Sequence, residues 1–233
     1  MRFALAALAA FILVSCSSSG RSPIMTAVVD AVRPGNGGEA EAQAAEAGAA
    51  PRARLTRAKI EELDIAMIRG KVEGDTGRGT LLLARTVNGE FVSYMSQGRQ
   101  SFTLQGGLIT ASRGVGHDLL SVKAAANDPV AHKTPPDDWP QTVSRSYFLS
   151  GGNRPEGVEL PVTCAFQKTR GMQIEIVEIT YDLIMMVEQC KGEDAEFVNV
   201  HLADPESGFI WKSAQWLGPD QGMAEYEVLE PLE

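Results

Sequence analysis

Residues 80–96 read TLLLARTVNGEFVSYMS and predict two antiparallel strands joined by a tight turn. Apolar and aromatic residues that favour strands lie on both sides of Asn88 and Gly89. An Asn-Gly pair is the strongest short signal for a type I′ β-hairpin, because both residues tolerate the positive φ that this turn requires. The segment therefore predicts a β-hairpin from which the rest of the fold can be built.

Strand-like segments continue on both sides of this hairpin. We predict further strands at residues 65–72, 101–104, 108–111, 143–149, 158–167, 172–190, 197–202, 209–217 and 224–229. Residues 114–139 are less regular, because Asp128-Pro129 and Pro135-Pro136 interrupt them. About ten or eleven strands with short connections indicate a mostly β fold, an antiparallel meander curled into a barrel, half-barrel or sandwich.

One short helix precedes the strands. It is predicted from Arg57 to about Leu63, with Thr56 as the N-cap and with Leu55 and Ile60 at the two positions of a hydrophobic staple. We place the start of the folded domain near residue 52, so that residues 52–233 form a single β-rich domain.

The segment 158–190 is too long for one regular strand and is predicted to contain a turn and a β-bulge. The residues Thr169, Arg170 and Gly171 predict a turn that joins its two strands. The apolar alternation then changes phase at Ile176 and Val177, which predicts a β-bulge there, because a slip of one residue moves side chains to the other face.

The first sixteen residues, MRFALAALAAFILVSC, predict an export signal. One basic residue precedes an apolar run of about 12 residues, which fits a signal peptide and is too short to span a bilayer as a helix. The run ends in a tetrapeptide that resembles a bacterial lipobox, so we expect cleavage of residues 1–15 and lipid attachment at Cys16. Residues 16–51 then form a tether rich in Ala, Gly and Glu. Ser17 after the lipidated Cys implies sorting to the outer membrane, facing the periplasm.

Composition excludes some classes of function. The net charge of −9 argues against nucleic acid as a partner. With Cys16 lipidated, Cys164 and Cys190 remain as a pair in an oxidising compartment, which predicts a disulfide. The unequal arms around residues 169–171 predict that the two cysteines do not lie opposite each other in a simple hairpin. The histidines have no recognisable ligand spacing, so neither a metal nor another cofactor is predicted.

Two sets of residues are candidates for ligand contact. The loop from Arg113 to Asp118, RGVGHD, brings backbone amides and an arginine together, as an anion site would. A tight connection in which Arg113 and Asp118 bond to each other or to the backbone is the alternative that we favour. Trp211 and Trp216, and more weakly Trp139, offer aromatic planes on which sugar rings could stack. Trp211 and Trp216 are five residues apart, so a regular strand would place them on opposite faces, one of them in the core.

No catalytic residue is predicted. Adjacent carboxylates occur at Asp137-Asp138 and Glu61-Glu62, but a glycosidase takes its two carboxylates from opposite sides of a cleft. The sequence contains no nucleophile elbow, HExxH motif or Cys-His arrangement.

Three stretches of the sequence resemble the YjbF/GfcB lipoproteins. They are GLITASRGVGHDL at residues 107–119, EQC at 188–190 with FVN at 197–199, and IWKSAQWLGP at 210–219. The resemblance spans roughly residues 54–219. It implies an outer-membrane lipoprotein encoded with group 4 capsule or related exopolysaccharide genes, which assists polysaccharide secretion and has no established enzymatic activity. The long Ala/Glu/Gly tether departs from the family pattern.

We therefore expect a non-enzymatic, lipid-anchored lipoprotein that assists exopolysaccharide or capsule export. Its partners would be the membrane, through the lipid, together with polysaccharide or proteins of the export machinery. The first alternative is a half-barrel carrier that binds lipid or glycolipid in an apolar cavity. The second is a polysaccharide-modifying hydrolase, which would need a cleft with two acidic groups of divergent pKa.

Overall fold

The computed structural model describes residues 55–151 and 154–232. The predicted signal peptide, Cys16 and the tether lie outside these residues. The described part contains one α-helix, one 3₁₀ turn at Pro136–Asp138 and twelve strands. In chain order the elements are α1 (Arg57–Leu63), β1 (Met67–Val72), β2 (Thr80–Asn88), β3 (Phe91–Met95), β4 (Ser101–Gln105), β5 (Leu108–Arg113), β6 (Leu119–Ala124), β7 (Thr142–Gly151), β8 (Arg154–Ile176), β9 (Ile179–Lys191), β10 (Glu196–Ala203), β11 (Ile210–Gly218) and β12 (Gly222–Glu230).

All twelve strands form one antiparallel sheet that is nearly closed into a barrel. Its order is β5-β4-β3-β2-β1-β12-β11-β10-β9-β8-β7-β6, so neighbouring strands are consecutive in the chain except for the pair β1 and β12. The two end strands, β5 and β6, meet through side chains: Arg113 Nη1 donates to the carbonyl of Leu119 at 2.8 Å, and the amide of Leu119 donates to Ser112 Oγ at 2.9 Å. The predicted antiparallel β meander is confirmed, in its barrel form.

The predicted helix is also confirmed. The hydroxyl of Thr56 accepts from the amide of Lys59 at 3.4 Å, and the helix ends where Asp64 adopts a positive φ of 46°. Ile60 is fully buried against the outer surface of the sheet, and Leu55 packs against the same cluster. No helix among the described residues is long and apolar enough to cross a membrane.

The long hairpin formed by β8 and β9 corrects the sequence prediction. The turn is at Val177 and Glu178, which have φ of 43° and 70°, and the irregularity at residues 168–171 is a register shift inside β8. Our assignments of turn and bulge were therefore exchanged. A change of phase in an apolar alternation occurs at a bulge or at a turn. Here it marks a turn formed by two residues, neither of which is glycine. The carboxylate of Glu178 accepts from the amide of Arg57 at 3.1 Å, which brings the hairpin tip to the start of α1.

The strand β6 was not predicted. It lies inside the stretch that we read as irregular, and a register shift between Leu119 and Ser121 interrupts its pairing with β7. Because a bulge breaks the alternation of side chains, the six-residue segment lacks the period-two pattern that identifies a strand.

The sheet has a core on each face. The interior core of the barrel includes Ile68, while the adjacent residue Met67 belongs to an outer core, as expected for alternating side chains. The helix α1 and the tip of the β8–β9 hairpin cover this outer core. Besides Ile60 of α1, its buried members come from β1, β9, β10, β11, β12 and the end of β8. The outer face of β6, β7 and the first half of β8 lies outside the outer core.

Candidate functional site

A disulfide joins Cys164 and Cys190 inside the barrel wall. The two residues face each other directly in the β8–β9 pairing, and their sulfurs are 2.06 Å apart. The prediction that they do not align was wrong, because it followed from the misplaced turn. Both cysteines and Glu188 have possible ligand atoms within 4.8 Å of one another. With both sulfurs in the disulfide, neither is a thiolate that could bind a metal.

The barrel interior contains a fully buried ionic cluster. Arg145 on β7 donates to both carboxylate oxygens of Asp128, at 2.5 and 2.9 Å. Its third nitrogen, Nη1, lies 2.7 Å from Oε1 of Glu188 on β9, although this contact lacks the alignment of a hydrogen bond. The side chains of all three residues have no exposed surface. Buried charges require such pairing, because an isolated ion loses its hydration without compensation.

Glu188 extends the cluster to β10. Its Oε2 accepts from Asn199 Nδ2 at 2.7 Å and lies 3.2 Å from Nε2 of His201. Burial alone would raise the pKa of Glu188, but the positive charge of Arg145 and the bonds from His201 and Asn199 outweigh it and lower the pKa to about 2. Glu188 is therefore ionised, and since an ionised carboxylate only accepts hydrogen bonds, Nε2 of His201 carries a proton.

Ser213 completes an arrangement that resembles a catalytic triad in composition. Its hydroxyl lies 2.8 Å from His201 Nδ1 and donates to the carbonyl of Val200 at 3.0 Å. In serine hydrolases the serine faces Nε2 and the acid faces Nδ1, and here the two contacts are reversed. Ser213, His201 and Glu188 are also completely buried, so a substrate has no access to the hydroxyl.

The polar network then crosses the barrel. The side chain of Gln215 accepts from the amide of Ile109 at 2.9 Å and donates to the carbonyl of Gly107 at 2.7 Å. The hydroxyl of Tyr226 donates to the same carbonyl at 2.7 Å. Opposite walls are thus bonded to each other through side chains that fill the interior. Nothing found among the described residues supports the lipid-carrier alternative.

Sequence reasoning missed this network. Arg145 and Glu188 stand at inward positions of their strands, between apolar residues that face the core. A charged residue in the buried phase of an alternating strand is itself a signal, because charged side chains are almost never fully buried unless they are paired. The partner Asp128 comes from a loop, and its proximity was not predictable from spacing.

The loop from Arg113 to Asp118 is bonded to the protein itself. The carboxylate of Asp118 accepts from the amides of Gly114 and Val115 at 3.0 and 3.2 Å, so the anion at these amides is the protein's own side chain. Arg113 donates to backbone carbonyls across the seam between β5 and β6. These bonds are those of the tight-connection alternative, and contact of Arg113 or Asp118 with a ligand stays a prediction.

The three tryptophans pack on other rings of the protein. Trp216 stacks on Phe197 with ring centroids 4.3 Å apart. The ring centroids of Trp211 and Tyr181 are 4.0 Å apart. Trp139 contacts Phe166 edge-on. Both Trp211 and Trp216 are partly exposed, and contact of either with a sugar stays a prediction.

A groove lies on the outer face of β6–β9, opposite the buried network. Its volume is about 440 Å³. Two rows of paired residues cross it, Lys123–Ser146–Pro161 and Ser144–Thr163–Lys191. Between the rows, Arg145 and Val162 point into the core, so the row residues face outward.

Comparison with known proteins shows the family of the chain. Residues 26–229 match the family described as Group 4 capsule polysaccharide lipoprotein gfcB, YjbF, and the match begins within the predicted tether. A similar solved structure is the hypothetical lipoprotein YmcC from Escherichia coli (K12), with a TM-score of 0.66 and 16% sequence identity over 92% of this chain and 99% of that one. At this identity the likeness concerns the fold alone. No curated protein is significantly similar in sequence. The chain belongs to the YjbF family of group 4 capsule polysaccharide lipoproteins.

Proposed function

We propose that the protein is a lipid-anchored, periplasm-facing lipoprotein of the outer membrane that assists the export or assembly of capsule or related exopolysaccharide without catalysing a reaction. The family match over residues 26–229 carries the proposal, because it links the chain to lipoproteins of capsule polysaccharide. The envelope location follows from the same match.

The anchor is supported by the sequence at the N-terminus. The apolar run before Cys16 ends in LVSC, and Ser17 follows it. Three acyl chains on Cys16 would hold the protein permanently, since two lipid signals already suffice for stable anchoring. The proposed function needs no membrane-spanning segment after this residue.

The non-enzymatic part of the proposal is supported by the state of the polar groups in the barrel. Among the described residues, the one Ser-His-Glu arrangement found is enclosed, and each of its members is bonded to structural partners. A hydrolase instead needs its nucleophile at a surface that the substrate reaches, with the base oriented towards it.

We expect purified full-length protein to leave the chain length of capsule polysaccharide unchanged after prolonged incubation. Size-exclusion chromatography with light scattering measures this directly. The matched variants are Ser213→Ala, in the enclosed arrangement, and Ser144→Ala, on the outer groove. Shortening of the polymer by the wild-type protein that either substitution abolishes would contradict the proposal.

A further inference from the structure

The groove on the outer face of β6–β9 has a composition unlike that of the whole chain. The chain has 30 acidic and 21 basic residues, yet no carboxylate is found among the described residues that line the groove. Two exposed lysines, Lys123 and Lys191, stand at opposite corners. The third basic residue of the lining, Arg145, is neutralised in the interior and contributes no charge to the surface.

Hydroxyl groups occupy the space between the two lysines. Ser144, Ser146 and Thr163 face outward on β7 and β8, and each hydroxyl can both donate and accept a hydrogen bond. Pro161 adds an apolar ring beside them. A surface that combines cations, hydroxyls and a small apolar ring is complementary to a polyhydroxylated anion.

The separation of the lysines decides between a small anion and an extended one. Lys123 is on β6 and Lys191 is on β9, three inter-strand spacings away, which corresponds to about 14 Å across the sheet. Side chains that stand perpendicular to the sheet keep this separation, which favours an extended anion over a single phosphate or sulfate. A chain that carries repeated carboxylates can span the two lysines, and the groove lies on a face that neither α1 nor the hairpin tip covers.

We infer that this groove binds an acidic polysaccharide chain, with Lys123 and Lys191 contacting successive carboxylates and with Ser144, Ser146 and Thr163 bonding to sugar hydroxyls. The inference rests on the proposed function, because it identifies where a lipoprotein of capsule polysaccharide holds the polymer.

One existing ion pair competes with ligand binding, so replacing its two members should change the affinity in opposite directions. Lys191 Nζ lies 3.1 Å from Glu196 Oε2, and the two side chains are 73% and 72% exposed. An ion pair exposed to this extent is weak, so a carboxylate of the ligand can displace it. Replacing Glu196 should therefore strengthen binding, whereas replacing Lys191 should weaken it.

The experiment is isothermal titration of the full-length lipoprotein in detergent with polygalacturonate oligosaccharides as the acidic probe and dextran oligosaccharides as the neutral one. We expect binding of the acidic probe only, a loss of affinity of about fivefold for Lys123→Gln or Lys191→Gln and about 25-fold for both, and a gain for Glu196→Gln. Affinity should fall as salt is raised, because the groove is exposed to solvent.

The matched control is the pair Lys71→Gln and Lys168→Gln, which removes the same charge outside the groove and should leave the affinity unchanged. Equal affinity of the Lys123/Lys191 double variant and the wild type, equal binding of dextran, or full competition by inorganic phosphate would each overturn the inference. None of these results concerns export in cells, so the inference and the proposed function can fail separately.

Discussion

Replacing Arg145 with methionine should lower the free energy of unfolding by about 3–5 kcal/mol, which is the cost of removing one partner from a buried ion pair. The substitution leaves the carboxylates of Asp128 and Glu188 inside the barrel without their cation. A typical domain is stable by about 5–15 kcal/mol, so the variant should unfold at a much lower urea concentration. Urea unfolding followed by tryptophan fluorescence measures the change.

Two variants show whether stranded charge causes the loss. Arg69→Met breaks the partly exposed pair with Glu227 and should cost less than about 1 kcal/mol. Adding Asp128→Asn and Glu188→Gln to Arg145→Met should restore part of the stability, because it removes the uncompensated charges. If the triple variant is as unstable as Arg145→Met alone, the loss comes from packing and the electrostatic explanation is wrong.

The pH dependence of the same measurement follows from the pKa of Glu188. In the folded protein this pKa is lowered to about 2 from an ordinary value of 4.5. A lowered pKa stabilises the fold above the ordinary value, and this stabilisation is lost as the pH falls from about 4.5 towards 2. Wild-type stability should therefore decline across this range, and Glu188→Gln should remove its own contribution to the decline.

Removing the disulfide should be the second large effect. Cys164 and Cys190 close a loop with a sequence separation of 26 residues, for which chain-entropy reasoning gives a stabilisation of about 3–4 kcal/mol. We expect the double variant Cys164→Ala, Cys190→Ala to have a correspondingly lower melting temperature. Reduction of the wild type should produce a similar fall, and a reductant should have no further effect on the double variant.

Thiol counting on denatured protein provides an independent check. The lipidated chain should contain no free thiol when it is isolated from the membrane under non-reducing conditions. Two free thiols per chain, or a melting temperature that reduction does not change, would contradict the stabilising disulfide.

The sequence predicted those elements that are specified by a few adjacent residues. The helix α1 begins after Thr56 as expected, because an N-cap and a hydrophobic staple act within one turn. The first hairpin was predicted from Asn88 and Gly89, although the structure pairs Asn88 with Phe91 and places Gly89 and Glu90 in the turn. Turn position is set by the pairing of whole strands, so it shifts by a residue without loss of the hairpin.

Features that depend on distant contacts were missed or misplaced. Val177 and Glu178 form a turn with positive φ values, which non-glycine residues rarely adopt. Glu178 contacts Arg57, which is 121 residues away in sequence. The strand β10, Glu196–Ala203, contributes Asn199 and His201 to the buried network, yet these two residues form no motif in sequence. Cross-strand register, which sequence alone did not fix, brings Glu188 opposite Asn199.

The role of the anchored protein in export can be measured as the ratio of surface to cell-retained polysaccharide. The strain for this measurement lacks the gene and carries either the wild-type copy or Cys16→Ser. We expect the wild type to restore surface polymer. The Cys16→Ser protein should incorporate no labelled palmitate and should leave polymer of unchanged chain length inside the cell. Normal surface polysaccharide in the strain without any copy, or with an unlipidated Cys16→Ser protein, would contradict it.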